Sequence, residues 1–177
     1  MGATAQTPAN LVPGAGDILV DTADVGVTRG DNTYSVNETM FEPDDLNGVP
    51  GMLIGTQYII SQEAVLACGM PEVAPETIEL LLKGVQSATV GGATTIDWDG
   101  TRRVPLTNFH DYELVVPGLA VGSSFRFLAD NALNQASAEW NAQNAEMMNP
   151  RGEFHSKWDA AALTTSPHRI IIETAGS

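Results

Sequence analysis

The sequence predicts an all-β fold, mainly β with one helix, closed as a β-sandwich or barrel. Three observations predict it. Roughly eight to ten short stretches alternate apolar and polar residues between turn-forming residues, the pattern of half-buried strands. Only residues 75–83 carry the start and stop signals of a helix together with helical apolar spacing. The chain is 43% hydrophobic without a long apolar run, which suits one globular core rather than a membrane span.

Taken in order, residues 1–13 are small and polar, with Pro8 and Pro13, and read as a flexible N-terminal arm on a single domain covering residues 1–177. Residues 17–21 and 24–28 flank a short turn at Thr22-Ala23 and form a hairpin. Residues 33–39 form a third strand with Tyr34 and Val36 on one face. Residues 38–51 are acidic and punctuated by Pro and Gly, and they read as a long loop of the kind that in compact domains is either functional or disordered. Residues 52–67 form the strongest strand, either continuous or broken near Ser61. In the helix, Pro75 stands where a missing N–H costs nothing, Glu76 and Glu79 favour the first turns, and Lys83-Gly84 closes it. Ile78, Leu81 and Leu82 make its apolar stripe.

Downstream, residues 94–98 and 102–106 flank Asp99-Gly100, a favoured tight-turn pair, and predict a second hairpin. Residues 111–116, 123–129, 152–158 and 169–173 read as further strands, with Phe154 and Trp158 on one face and Glu153, His155 and Lys157 on the other. Residues 131–148 fit a helix through Leu133, Ala136 and Trp140, or extended structure through Ala136, Ala138, Trp140 and Ala142, and the extended or looped form is expected.

Charge excludes one function class. The net charge is −14, with 14 acidic and 2 basic side chains in residues 1–100 and 8 and 6 in residues 101–177. A protein that grips phosphates needs the opposite sign, so tight nucleic-acid binding is not expected. Acidity serves either solubility or an acidic wall past which a polyanion slides. The start of the chain has neither the basic segment nor the apolar stretch of a secretory signal, and Gln6 stands where a myristoylation site needs Ser or Thr. The lone Cys68, inside an apolar run, reads as a buried hydrophobe in a reducing compartment.

Catalytic and metal signatures are weak. His110, His155 and His168 lie far apart without a second His or Cys at ligand spacing. No nucleophile elbow, Cys–His signature or phosphate-binding lysine loop occurs, and Gly14-Ala15-Gly16 precedes a strand and reads as a turn. Asp97-x-Asp99-Gly100 and Asp45-x-Asn47-Gly48 lack the remaining ligands of a calcium loop. No catalytic, cofactor or metal site is expected, and the pattern favours assembly over catalysis.

Residues 12–21 (VPGAGDILVD) and 24–30 (DVGVTRG), the acidic loop, the strand over 55–68 with the helix at 75–83, and the closing strands at 154–159 and 167–172 follow one another in an order that resembles the major tail (tail tube) proteins of siphophages. The resemblance covers nearly the whole chain through diffuse motifs. It implies a β-sandwich with a flanking helix, assembled as stacked hexameric rings into a hollow tube that conducts viral DNA without tight binding. It further implies tape-measure, terminator and distal tail proteins as partners, a place in the virion after assembly in the host cytoplasm, and no cofactor or membrane. The central loop, with Glu42, Pro43, Asp44, Asp45, Leu46, Asn47 and Val49, is implied to reach neighbouring subunits. Residues 131–150 are longer than the family pattern and read as an insertion. Rival expectations are a tail terminator, a contractile-system tube, or a secreted adhesin or carbohydrate-binding module.

Overall fold

The computed structural model describes residues 16–24, 28, 32–41, 58–70, 74–98, 100, 103–118, 121–137 and 150–174. Ten strands and one α-helix are present among them, so the chain is all-β with one helix. The strands are β1 (Asp17–Val20), β2 (Ala23–Asp24), β3 (Thr33–Phe41), β4 (Tyr58–Gly69), β5 (Val85–Val90), β6 (Ala93–Trp98), β7 (His110–Pro117), β8 (Ser124–Asn134), β9 (Arg151–His155) and β10 (His168–Glu173), and α1 covers Pro75–Leu81.

The main sheet has the order β2-β1-β7-β8-β9-β4-β3, with β10 also paired to β8, and every pairing is antiparallel. It folds on itself through β8. The first half of β8 lies between β7 and β10, while Leu133 and Asn134 pair with β9. The ladder to β7 shifts register between His110 and Tyr112, and Asn131 takes a positive φ of 51° opposite that shift. A bulge of this kind bends a strand and lets it serve two sheet layers.

Aromatic contacts show that the two halves face each other. Tyr112 on β7 stacks on Phe154 of β9 with ring centroids 4.0 Å apart, and Tyr34 on β3 meets Phe127 of β8 at 5.2 Å. Between them lie Ile18, Leu66, Cys68, Leu114 and Ala129, all buried. The Tyr34 hydroxyl donates to the Leu128 carbonyl at 3.0 Å, and burial pushes its pKa up to about 12. Gly152 leaves room for the core, since a Cβ there would stand 2.5 Å from the Phe154 ring.

Several expectations change. The first turn falls at Asp21-Thr22, both at positive φ, one residue before the expected pair, and only Ala23–Asp24 of the second arm is strand among the described residues. Residues 38–41, expected to open the loop, continue β3 instead, because they pair with β4 out to Phe41–Tyr58. β4 is unbroken, and the irregularity expected near Ser61 is a bulge that skips Ile60. α1 ends two residues early at Leu81, and its buried positions are Thr77 and Leu81, one turn apart, rather than a stripe through Ile78 and Leu82.

The predicted second hairpin is wrong. β6 pairs with β5 around Gly91-Gly92, whose φ values of 62° and 83° suit the two central residues of a tight hairpin turn. Residues 106–108 form a single 3-10 turn and not a strand. β9 stops at His155, so half-exposed Trp158 does not share the inward row with Phe154. The ambiguous segment begins as strand, since β8 runs to Asn134, while residues 138–149 lie outside the described residues.

Candidate assembly interface

The sequence-predicted inter-subunit residues Glu42, Pro43, Asp44, Asp45, Leu46, Asn47 and Val49 lie outside the described residues. The structure places the flanks of that segment: Phe41 and Tyr58 are the last described cross-strand partners of β3 and β4.

The ladder itself is a candidate surface. From Ala64 onward β4 is mostly buried, flanked by β3 and β9. From Tyr58 to Ser61 it is exposed on both faces. Tyr58 and Ile60 are each 63% exposed, and Ile59, Met40 and Phe41 beside them are exposed too. The consecutive Tyr58 and Ile59 point to opposite faces, so exposure of both means that neither face of the ribbon is covered at this end, and the bulged Ile60 is exposed as well. A contiguous exposed apolar patch marks an interaction surface on a soluble protein.

A cluster of charges marks the border between the two halves. Glu63 pairs with Lys157, and its Oε2 lies 3.0 Å from His155 Nδ1. Partial burial pushes its carboxyl up, but hydrogen bonding and charge from Lys157 and His155 outweigh that and hold it below the usual range. His155 is also the last β9 residue paired with β4, opposite Val65.

The second candidate surface is the β10 margin. Ile170 pairs with Phe127 and Ile172 with Phe125, and directly opposed residues share one face of a sheet. Phe127 contacts Tyr34, so this is the core-facing side. Ile170 and Ile172 are nevertheless 57% and 61% exposed. The core-facing surface of the sheet is thus left uncovered at its β10 end. On the other face Arg126 bridges Glu113 and Glu173, a polar ladder suited to solvent.

A third feature is the β5–β6 ribbon. Beyond buried Val85 it is exposed along both strands except at half-buried Ile96, and its strands pair only with each other among the described residues. Its root is fixed by Asn134, a buried side chain that donates to the Leu81 carbonyl at 2.6 Å and accepts from the Glu153 and Ala136 amides at 2.9 and 3.1 Å. One amide therefore ties α1, β8 and β9 together, and sequence reading missed it because a strand-end asparagine has no local signature.

An open cleft of about 520 Å³ lies between the β1–β2 turn and α1, lined in part by Asp21, Asp24, Glu76, Glu79, Leu80 and His110. His110 Nδ1 and Asp21 Oδ2 are 2.6 Å apart. Partial burial pushes the Asp21 carboxyl up, and the Asp111 amide and His110 more than reverse this. The lining offers carboxylates and an imidazole around an apolar floor, without a serine or cysteine beside the histidine. No group of three or more possible metal ligands converges among the described residues. Cys68 is buried, which pushes its thiol up to about 12. Among the described residues no helix is long and apolar enough to cross a membrane.

No protein-family model matches the chain, and no curated protein matches it.

Proposed function

We propose that this chain is a structural subunit that polymerises through its own sheet margins, building the stacked hexameric rings of a long-tailed phage tail tube. The observation that carries this reading is the outer half of the β3–β4 ladder, apolar and bare on both faces. A monomer gains nothing from extending such a ribbon into water, whereas a polymer buries it at every subunit contact. The outer edges of β3 and β10, which pair with no further strand among the described residues, point the same way, because unpaired N–H and C=O groups on an edge strand are satisfied by strand addition from another chain. A contact between two different surfaces of identical subunits closes into rings or extends into filaments.

The net charge of −14 fits a conduit for DNA: carboxylates near a bore repel phosphate and leave the genome free to move. In this reading the protein works in the virion after assembly in the host cytoplasm, with tape-measure, terminator and distal tail proteins as partners and without a cofactor. The resemblance of the sequence to the siphophage major tail proteins supports this reading. Negative-stain electron microscopy with analytical ultracentrifugation of concentrated protein is the test. Hollow rings or tubes are the expected outcome. A single monomeric species over the accessible concentration range overturns the proposal.

A further inference from the structure

The β5–β6 ribbon and the β10 margin are complementary in length, residue type and charge. Residues 85–96 contain no charged side chain in a chain of net charge −14. Exposed edge strands are normally blunted by charges, prolines or bulges, and the outer edge of β6 carries none of these before Asp97. Apart from its contacts with α1 the ribbon stands as two strands, and a two-strand ribbon is marginal in water on its own. Its outer edge is built to be paired.

We infer that β6 of one copy adds antiparallel to the open edge of β10 in the next copy. Both strands have six residues, Ala93–Trp98 and His168–Glu173. With full overlap, Ile96 lies opposite Ile170, Thr94 opposite Ile172 and Trp98 opposite His168, so the apolar side of β6 lands on the uncovered core-facing side of β10. In the same register Asp97 lies opposite Arg169, whose guanidinium already holds Asp130 at 2.8 Å and has further N–H groups to offer. The remaining pairs, Thr95 with Ile171 and Ala93 with Glu173, fall on the other face.

The partner is a second copy rather than the same chain. The ribbon is rooted where Asn134 holds Leu81, at the far end of β8, whereas β10 lies along Ser124–Ala129 at the opposite end. Within one chain β6 pairs only with β5, and β10 only with β8, among the described residues. Donor and acceptor at opposite ends of one molecule make a head-to-tail contact that repeats from copy to copy. This inference rests on the self-assembly reading above and names the surfaces that would carry it.

Disulfide trapping in the full chain tests the register. Thr95→Cys and Ile171→Cys are introduced together, with Cys68 left in place because its buried thiol is unreactive. Oxidation of assembled protein is expected to give a covalent ladder of dimers, trimers and higher species. Mixing the two single variants is expected to give covalent dimers, and neither alone should give any. Rings or tubes without the ladder overturn the β6–β10 pairing while the self-assembly reading stands. Failure of the wild-type chain itself to assemble removes both. Asp97→Lys provides a second check at an exposed position that does not threaten folding. Placing like charges opposite each other should raise the concentration needed for assembly by roughly five-fold, and an unchanged concentration counts against the register.

Discussion

β4 contains two strands' worth of behaviour in one element. From Ala64 to Gly69 it is packed under β9 and into the core, with Ala64, Leu66 and Cys68 fully buried. From Tyr58 to Ser61 it continues past a bulge with large apolar residues, yet it is exposed and among the described residues pairs only with β3. The change comes at Glu63, where its contacts with Lys157 and His155 mark the last β9 pairing. Apolar content therefore does not separate the core half from the bare half; the presence of a covering layer does. The inner half maintains the monomer, and the outer half is the surface on which the proposed assembly depends.

The largest effect on the monomer is expected in the inner half. Leu66 sits at 0% exposure opposite Tyr34 and Phe154 in the ladders. Truncation removes buried methyl groups and leaves a cavity that a sheet closed on both sides cannot fill. Leu66→Ala should therefore cost about 3 kcal/mol in urea unfolding. A loss below about 1 kcal/mol would mean that this half is not the packed region described above.

This division of labour was only partly legible in the sequence. Alternation placed Tyr34 and Val36 on one face and located β7, β9 and β10 to within a few residues, because one-sided burial imposes a period of two, although β8 runs five residues past the expected Ala129; the apolar run around the lone Cys68 marked it as buried. Turn chemistry was less decisive. Asp99-Gly100 and Gly91-Gly92 both suit a tight hairpin, and the Gln, Ser and Ala of β5 carry weak strand preference, so the wrong pair was favoured. The uncovered Ile170 and Ile172 could not be read locally either. Their side of the strand faces the core, and only the reach of the opposite layer determines whether that side is closed. For the candidate surfaces, the readable signal was continuous apolarity at Tyr58-Ile59-Ile60 where alternation should place a polar residue, and the uncharged run over 85–96.

A smaller effect is expected at the border. Because the folded Glu63 carboxyl titrates below its ordinary value of 4.5, its contribution to stability is fully present above that value and is lost as pH falls through the depressed folded value. The stability difference between the native chain and Glu63→Gln should therefore be greatest near neutral pH and vanish in acid. Urea unfolding of both proteins across the acid range measures it, and a difference independent of pH would show that Lys157 and His155 do not favour the ionised form.

The smallest effect on the monomer belongs to the outer half. Tyr58→Ser and Ile60→Ser remove side chains that are already mostly in water, so neither a cavity nor an unpaired buried group results. Monomer stability should change by no more than about 0.5 kcal/mol for each. On the proposed assembly, the two substitutions together should nevertheless abolish ring or tube formation, since they delete the apolar area that the proposal buries between molecules. Unfolding measurements at low concentration and sedimentation at high concentration separate the two consequences. If the double variant assembled as the native chain does, the bare ribbon would carry no contact. If instead it unfolded readily, Tyr58 and Ile60 would belong to the core, and the contrast along β4 would disappear.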